Sequence, residues 1–177
     1  MELIKILFLV VGSFFGVKES LVLSEKTIVN INPEEKTIVI LRKNIVSIIQ
    51  NESDNLKVRT ELAAISKATY KWSSEFKDYT KKEKRFFISK DTKALNSKIR
   101  LTYNKVLDLK VFGIELNKDG KFSMTNFPKS HTKSADGELG KRYWISEANK
   151  TFSFTEEPLT KIPEAYKKFK RVYSLFG

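Results

Sequence analysis

The chain of 177 residues contains no cysteine and one histidine, His131. The first absence excludes disulfides, a thiol nucleophile, thiolate metal ligands and a lipid anchored on cysteine. The second excludes any multi-histidine metal site, so zinc would have to rely on carboxylates. Neither Gly-x-Gly-x-x-Gly nor Gly-x-x-x-x-Gly-Lys-Ser/Thr occurs, and both common phosphate loops are therefore missing. A Gly-x-Ser-x-Gly elbow is missing too. Asn117-Lys118-Asp119-Gly120 is a fragment of a calcium loop, but Pro128 stands where the bidentate acid belongs. The neighbouring acids Glu34-Glu35 and Glu156-Glu157 are ill placed to flank one glycosidic bond. These absences point away from an enzyme, and no cofactor or metal is expected.

No apolar run reaches the roughly 20 residues of a membrane-spanning helix. The longest, Ile6 to Val17, follows Lys5 and ends at Lys18-Glu19. A charged start, a short apolar stretch and then polar sequence is the layout of a secretory signal peptide. Cleavage is expected between residues 13 and 24, which leaves 25–177 as one globular domain. Export to the periplasm or medium is the favoured location; a membrane anchor formed by an uncleaved N-terminus is the alternative. The lack of disulfides, with a composition rich in Lys, Ile and Asn, suggests a bacterial source.

What the sequence has in excess is positive charge: 33 Lys and Arg against 21 Asp and Glu, a formal net charge of +12. Such a balance favours anionic partners and speeds encounter with them. For an exported protein these are lipid headgroups, acidic polysaccharide or an acidic protein rather than nucleic acid. Hydrophobic residues make up 41% of the chain, enough for a folded core.

The β-branched runs Thr27–Ile31 and Thr37–Leu41 flank Asn32-Pro33-Glu34-Glu35-Lys36 and read as a hairpin. Asn51 then offers a helix N-cap followed by acids. Val58, Leu62, Ile65, Thr69, Trp72, Phe76 and Tyr79 follow at steps of four and three, which predicts a helix over most of 52–79 or a shorter one followed by an aromatic loop. Lys77 to Arg85 reads as a solvated basic connection. Alternation at Ile99–Tyr103 and Leu107–Val111, running on to Leu116, predicts strands. Asp119-Gly120 is a hairpin turn leading to Phe122 and Met124. Tyr143–Ile145 and Thr151–Thr155 read as a second hairpin. After Pro163, Tyr166, Phe169, Tyr173 and Phe176 fall on one side of an expected amphipathic helix, with Lys167, Lys168, Lys170 and Arg171 on the other.

The fold expected is α+β: one curved antiparallel sheet of about six to nine strands, with one long helix and the C-terminal helix packed on it. A small calyx-like β-barrel with a flanking helix is the alternative, and would hold an apolar ligand. Two candidate sites emerge. The polar stretch Phe127 to Arg142 carries Lys129, His131, Lys133 and Asp136 and leads into Tyr143 and Trp144. Loops this long are uncommon in compact domains and are often functional. The cations Lys167, Lys168, Lys170 and Arg171 form a candidate contact with an anionic surface. The function expected is a non-catalytic exported binding protein with an anionic partner. The alternatives are an inhibitor or immunity-type protein against an exported enzyme, a small hydrolase using His131 with Asp136 or Glu138, and a carrier of an apolar ligand.

Overall fold

The computed structural model describes residues 11–125, 132–140, 143–160 and 162–174. Its main body is an open antiparallel sheet of seven strands. These are β1 (Leu23–Asn32), β2 (Thr37–Ile48), β3 (Lys81–Ile88), β4 (Leu95–Thr102), β7 (Thr132–Lys133), β10 (Phe152–Glu156) and β11 (Lys170–Val172). The spatial order is β3-β4-β2-β1-β10-β7, with β11 beside the far half of β2. A second sheet orders β5 (Ile114–Leu116), β6 (Lys121–Met124), β9 (Trp144–Glu147) and β8 (Glu138–Leu139) as β5-β6-β9-β8. The longest described helix is α1 (Glu52–Ile65).

The first hairpin forms as expected. Asn32 pairs with Thr37, its side chain accepts from the Glu35 amide at 3.1 Å, and Lys36 takes the left-handed conformation at φ 53°. Residues 44–48 continue β2 past Asn44, which has positive φ (54°), and the register with β1 is the same on both sides of it.

Several expectations are corrected. The sheet's end strands β3 and β7 do not pair with each other, so the barrel does not form. Of the two helix readings the shorter one holds, ending at Ile65 rather than near Tyr70, and there the Lys84 ammonium donates to the Ile65 carbonyl at 2.7 Å. Beyond it Phe76 ends a short 3-10 helix (Ser74–Phe76), with Trp72 and Tyr79 in irregular segments on either side. Leu107–Val111 is a 3-10 helix (Val106–Phe112), not a strand. Asp108 caps it by accepting from the Asn104 and Lys105 amides at 2.9 Å, and Gly113 ends it at φ 71°. Leu109 and Phe112, three residues apart, are the buried ones, so period three outweighs the period-two reading.

β9 and β10 are consecutive but lie in different sheets; they form no hairpin. The C-terminal helix shrinks to one turn, α2 (Glu164–Lys167), with no buried residue. The chain then becomes β11 and pairs with Val46, Ser47 and Ile48. β4 pairs only with Thr37–Arg42 and leaves that edge of the far half of β2 open, while β1 covers the other edge. Open backbone hydrogen-bonding groups there attract a strand more strongly than three apolar residues favour a helix. Lys77 to Arg85 is not wholly a connection, since β3 starts at Lys81.

One face of the large sheet is the core. Ile38, Ile40, Val29, Ile31, Ile99, Leu101, Phe152 and Phe154 are buried there, and Val58, Leu62 and Ile65 of α1 belong to the same cluster. The N-terminal Val11, Phe14 and Phe15 join it. Phe14 stacks on Phe76 with ring centres 5.1 Å apart, and Phe112 lies 5.9 Å from Phe76.

Candidate functional site

The other face of the sheet meets solvent. Strand alternation puts Lys26, Ile28 and Asn30 of β1 on it, with Val39, Leu41 and Lys43 of β2. Lys98 and Arg100 come from β4, Lys81, Glu83, Arg85 and Phe87 from β3, and Lys133 from β7. Register then decides which charges meet. Glu83 pairs with Arg100, a favourable cross-strand contact. Lys26 is directly opposite Lys43, and Arg85 is directly opposite Lys98. Side chains in such positions are about 5 Å apart at Cβ, and like charges there oppose folding.

Counter-charges relieve part of this. Glu157 lies 3.6 Å from Lys26 and 3.7 Å from Lys133, and Glu35 lies 3.8 Å from Arg100. Among the described residues Lys43, Arg85 and Lys98 have no ion-pair partner; the Arg85 guanidinium lies 5.7 Å from the Phe87 ring centre. The half-buried apolar residues Ile28, Val39 and Leu41 run between the cations.

Near Asn44 this face deepens into a groove of about 600 Å3. Its cations Lys26, Lys43 and Lys170 are matched by Glu25, Asp91 and Glu157, so it has no net charge to hold a compact anion. Lys170 is ion-paired with Glu25, which also accepts from Asn44 at 2.7 Å. Burial pushes the Glu25 carboxyl up, but the hydrogen bonds from Lys170 and Asn44 and the Lys170 charge prevail and hold it below its ordinary value.

A second polar constellation lies inside the core. Register lines up Ser97, Arg42, Thr27, Glu156 and Thr132 across five strands, all buried. The Arg42 guanidinium sits 4.7 Å from the Phe14 ring centre. Burial pulls Arg42 down to about 9, opposed by the charge of Glu156. Burial pushes Glu156 up to about 8, opposed by the Thr132 hydroxyl and by Arg42. Shifts of this size often mark active sites. Here Arg42 is 0% and Glu156 1% exposed, so no substrate reaches either in this fold.

The residues singled out in the sequence are scattered. Lys129 and His131 lie outside the described residues. Lys133 is on the basic face. The Asp136 carboxylate accepts from the Ser153 amide at 2.9 Å and the Ser153 hydroxyl at 2.8 Å, and so ties its loop to β10. Glu138 is exposed on β8. Tyr143 is exposed, and Trp144 is half-buried against the core, as is Trp72. The four C-terminal cations do not form one patch. Lys167 pairs with Glu164, Lys168 lies over Phe169, Lys170 turns into the groove, and Arg171 donates to the Lys168 and Lys170 carbonyls.

Of the residues that carry the basic face, Arg85 ends the basic stretch read over Lys77–Arg85, whereas Lys26, Lys43 and Lys98 are not among the sequence's candidate site residues. The first pair was legible, because a hairpin turning at 32–36 sets Lys26 opposite Lys43. The second needs the β3–β4 pairing. Among the described residues no three His, Asp or Glu lie together to hold a metal ion, and no helix is long and apolar enough to cross a membrane. No protein-family model, no curated protein and no solved structure matches the chain.

Proposed function

We propose that this is a non-catalytic binding protein whose outer sheet face docks an acidic protein. The observation that carries the reading is the two like-charged cross-strand pairs, Lys26–Lys43 and Arg85–Lys98, on one exposed face. Each costs the isolated sheet some tenths of a kcal/mol. A carboxylate from a partner turns that repulsion into affinity. The strip of Ile28, Val39 and Leu41 supplies an apolar centre with a charged rim, the anatomy of a protein–protein contact. The net charge of +12 accelerates encounter with such a partner. If the chain is exported, the partner is extracytoplasmic. Inhibition of an exported enzyme with an acidic groove is then the most specific form of the reading.

The test compares the full chain with Lys43→Gln/Lys98→Gln and with a control of equal net charge, Lys67→Gln/Lys118→Gln. Poly-glutamate serves as the acidic probe in a salt titration. The face variant should bind at least tenfold more weakly while melting at the same temperature or higher. An equal loss in the control, or a lower melting temperature with unchanged binding, refutes the proposal.

A further inference from the structure

The apolar N-terminal run is folded into the protein from Val11 onward. Val11–Phe15 forms a 3-10 helix in which Val11, Gly12, Phe14 and Phe15 are buried. The Ser73 amide donates to the Phe14 carbonyl at 2.8 Å and ties the segment to the chain beyond α1; within the segment, Val11 donates to the Val22 carbonyl and Val17 to the Gly12 carbonyl, both at 3.0 Å. Phe14 stacks on Phe76 and lies over the buried Arg42 guanidinium. Phe15 packs on Trp72 with ring centres 5.0 Å apart and beneath the Lys84 ammonium at 4.5 Å.

A buried carboxylate holds the return of the segment. Glu61 of α1 is 7% exposed; it accepts from the Ser20 hydroxyl and from the backbone at Leu21. Gly12 is pressed against this contact. A Cβ there would stand 2.8 Å from the Ser20 side chain and closer still to the Glu61 carboxylate. Leu23 and Ser24 then pair with Val46 and Ile45 as the first rung of β1.

We infer that Val11–Leu23 is a permanent part of the folded protein and that any leader removed from this chain ends before Val11. Cleavage after residue 13 removes Val11 and Gly12, and cleavage after residue 24 also strips Phe14, Phe15 and Val22 from the core. It would bare the Phe76 ring on which Phe14 stacks and remove the Ser20 hydroxyl that donates to Glu61. Each buried ring lost is strongly destabilising.

The full-length chain, expressed in its own host and purified, is tested by intact mass and N-terminal sequencing. An N-terminus at or before Val11 is the expected result; one anywhere beyond Val11 overturns the inference. Two variants of the full chain provide a second reading. Phe14→Ala removes a buried ring, and Gly12→Ala forces a Cβ into the Glu61–Ser20 contact. Each should lower the melting temperature by roughly 10 °C. Melting within 1–2 °C of the parent in both variants, a change smaller than roughly 1 kcal/mol produces in a domain of this size, overturns it as well.

Discussion

Replacing Glu156 by Gln should stabilise this protein above pH 5, although the carboxyl is fully buried beside an arginine. Burial raises Glu156 from its ordinary 4.5 to about 8. A carboxyl with a raised folded-state value holds its proton in the fold after the unfolded chain has lost it. Stability is therefore greatest below about pH 4.5 and falls as pH rises toward 8, where the loss is complete. At about 1.4 kcal/mol per pH unit across that gap, the full loss is about 5 kcal/mol, and about 3 kcal/mol is already lost at pH 7. Glutamine resembles the protonated acid in shape and charge and cannot ionise. Wild type and Glu156→Gln should thus unfold at the same urea concentration near pH 4.5. They should diverge above it, with the variant ahead by about 3 kcal/mol at pH 7. The fluorescence of Trp72 and Trp144 reports the transition. Glu61, also raised by burial, tilts both curves the same way and cancels in the difference. A variant that is less stable at pH 8, with its pH slope unchanged, would mean that Glu156 is ionised in the fold and paired with Arg42, and the reasoning would fail.

Other outcomes follow from single contacts. Lys84→Met removes the donor to the Ile65 carbonyl and the cation over Phe15 and Tyr70 while keeping an apolar stem. It should cost about 1–2 kcal/mol in chemical denaturation and speed amide exchange in the last turn of α1. Asp108→Ala leaves the Asn104 and Lys105 amides without their acceptor. About 1 kcal/mol should be lost, and Asp108→Asn should recover part of it. Tyr173→Phe breaks the 2.7 Å bond between the Tyr173 and Ser47 hydroxyls. The expected loss is about 1 kcal/mol, with faster exchange confined to β11 and the far half of β2; an unchanged exchange pattern would show that the C-terminal segment does not pair there.

The features legible in the sequence were those set by neighbours in the chain. Absent cysteine, lone histidine and excess lysine are compositional. The β1–β2 hairpin follows from two β-branched runs and a turn that contains Pro33. The start of α1 follows from Asn51, whose side chain accepts from the Asp54 amide at 2.9 Å. Antiparallel α+β architecture followed from alternation alone, since period two marks a strand with one covered face. The tertiary structure decided the rest, because those outcomes turn on contacts between distant residues. Trp72, Phe76 and Tyr79 keep helical spacing, yet they serve an aromatic cluster that Phe14 and Phe112 complete from elsewhere. The aromatic spacing after Pro163 is that of a helix, but the helix stops at Lys167 and the vacant edge of β2 makes Lys170–Val172 a strand. Asp136 beside a histidine-bearing loop looked like chemistry and is a tie to Ser153. Arg42 reads as one more surface cation in a basic chain. Only strand register, by setting it between Ser97 and Thr27 on the core face, puts it out of reach of water.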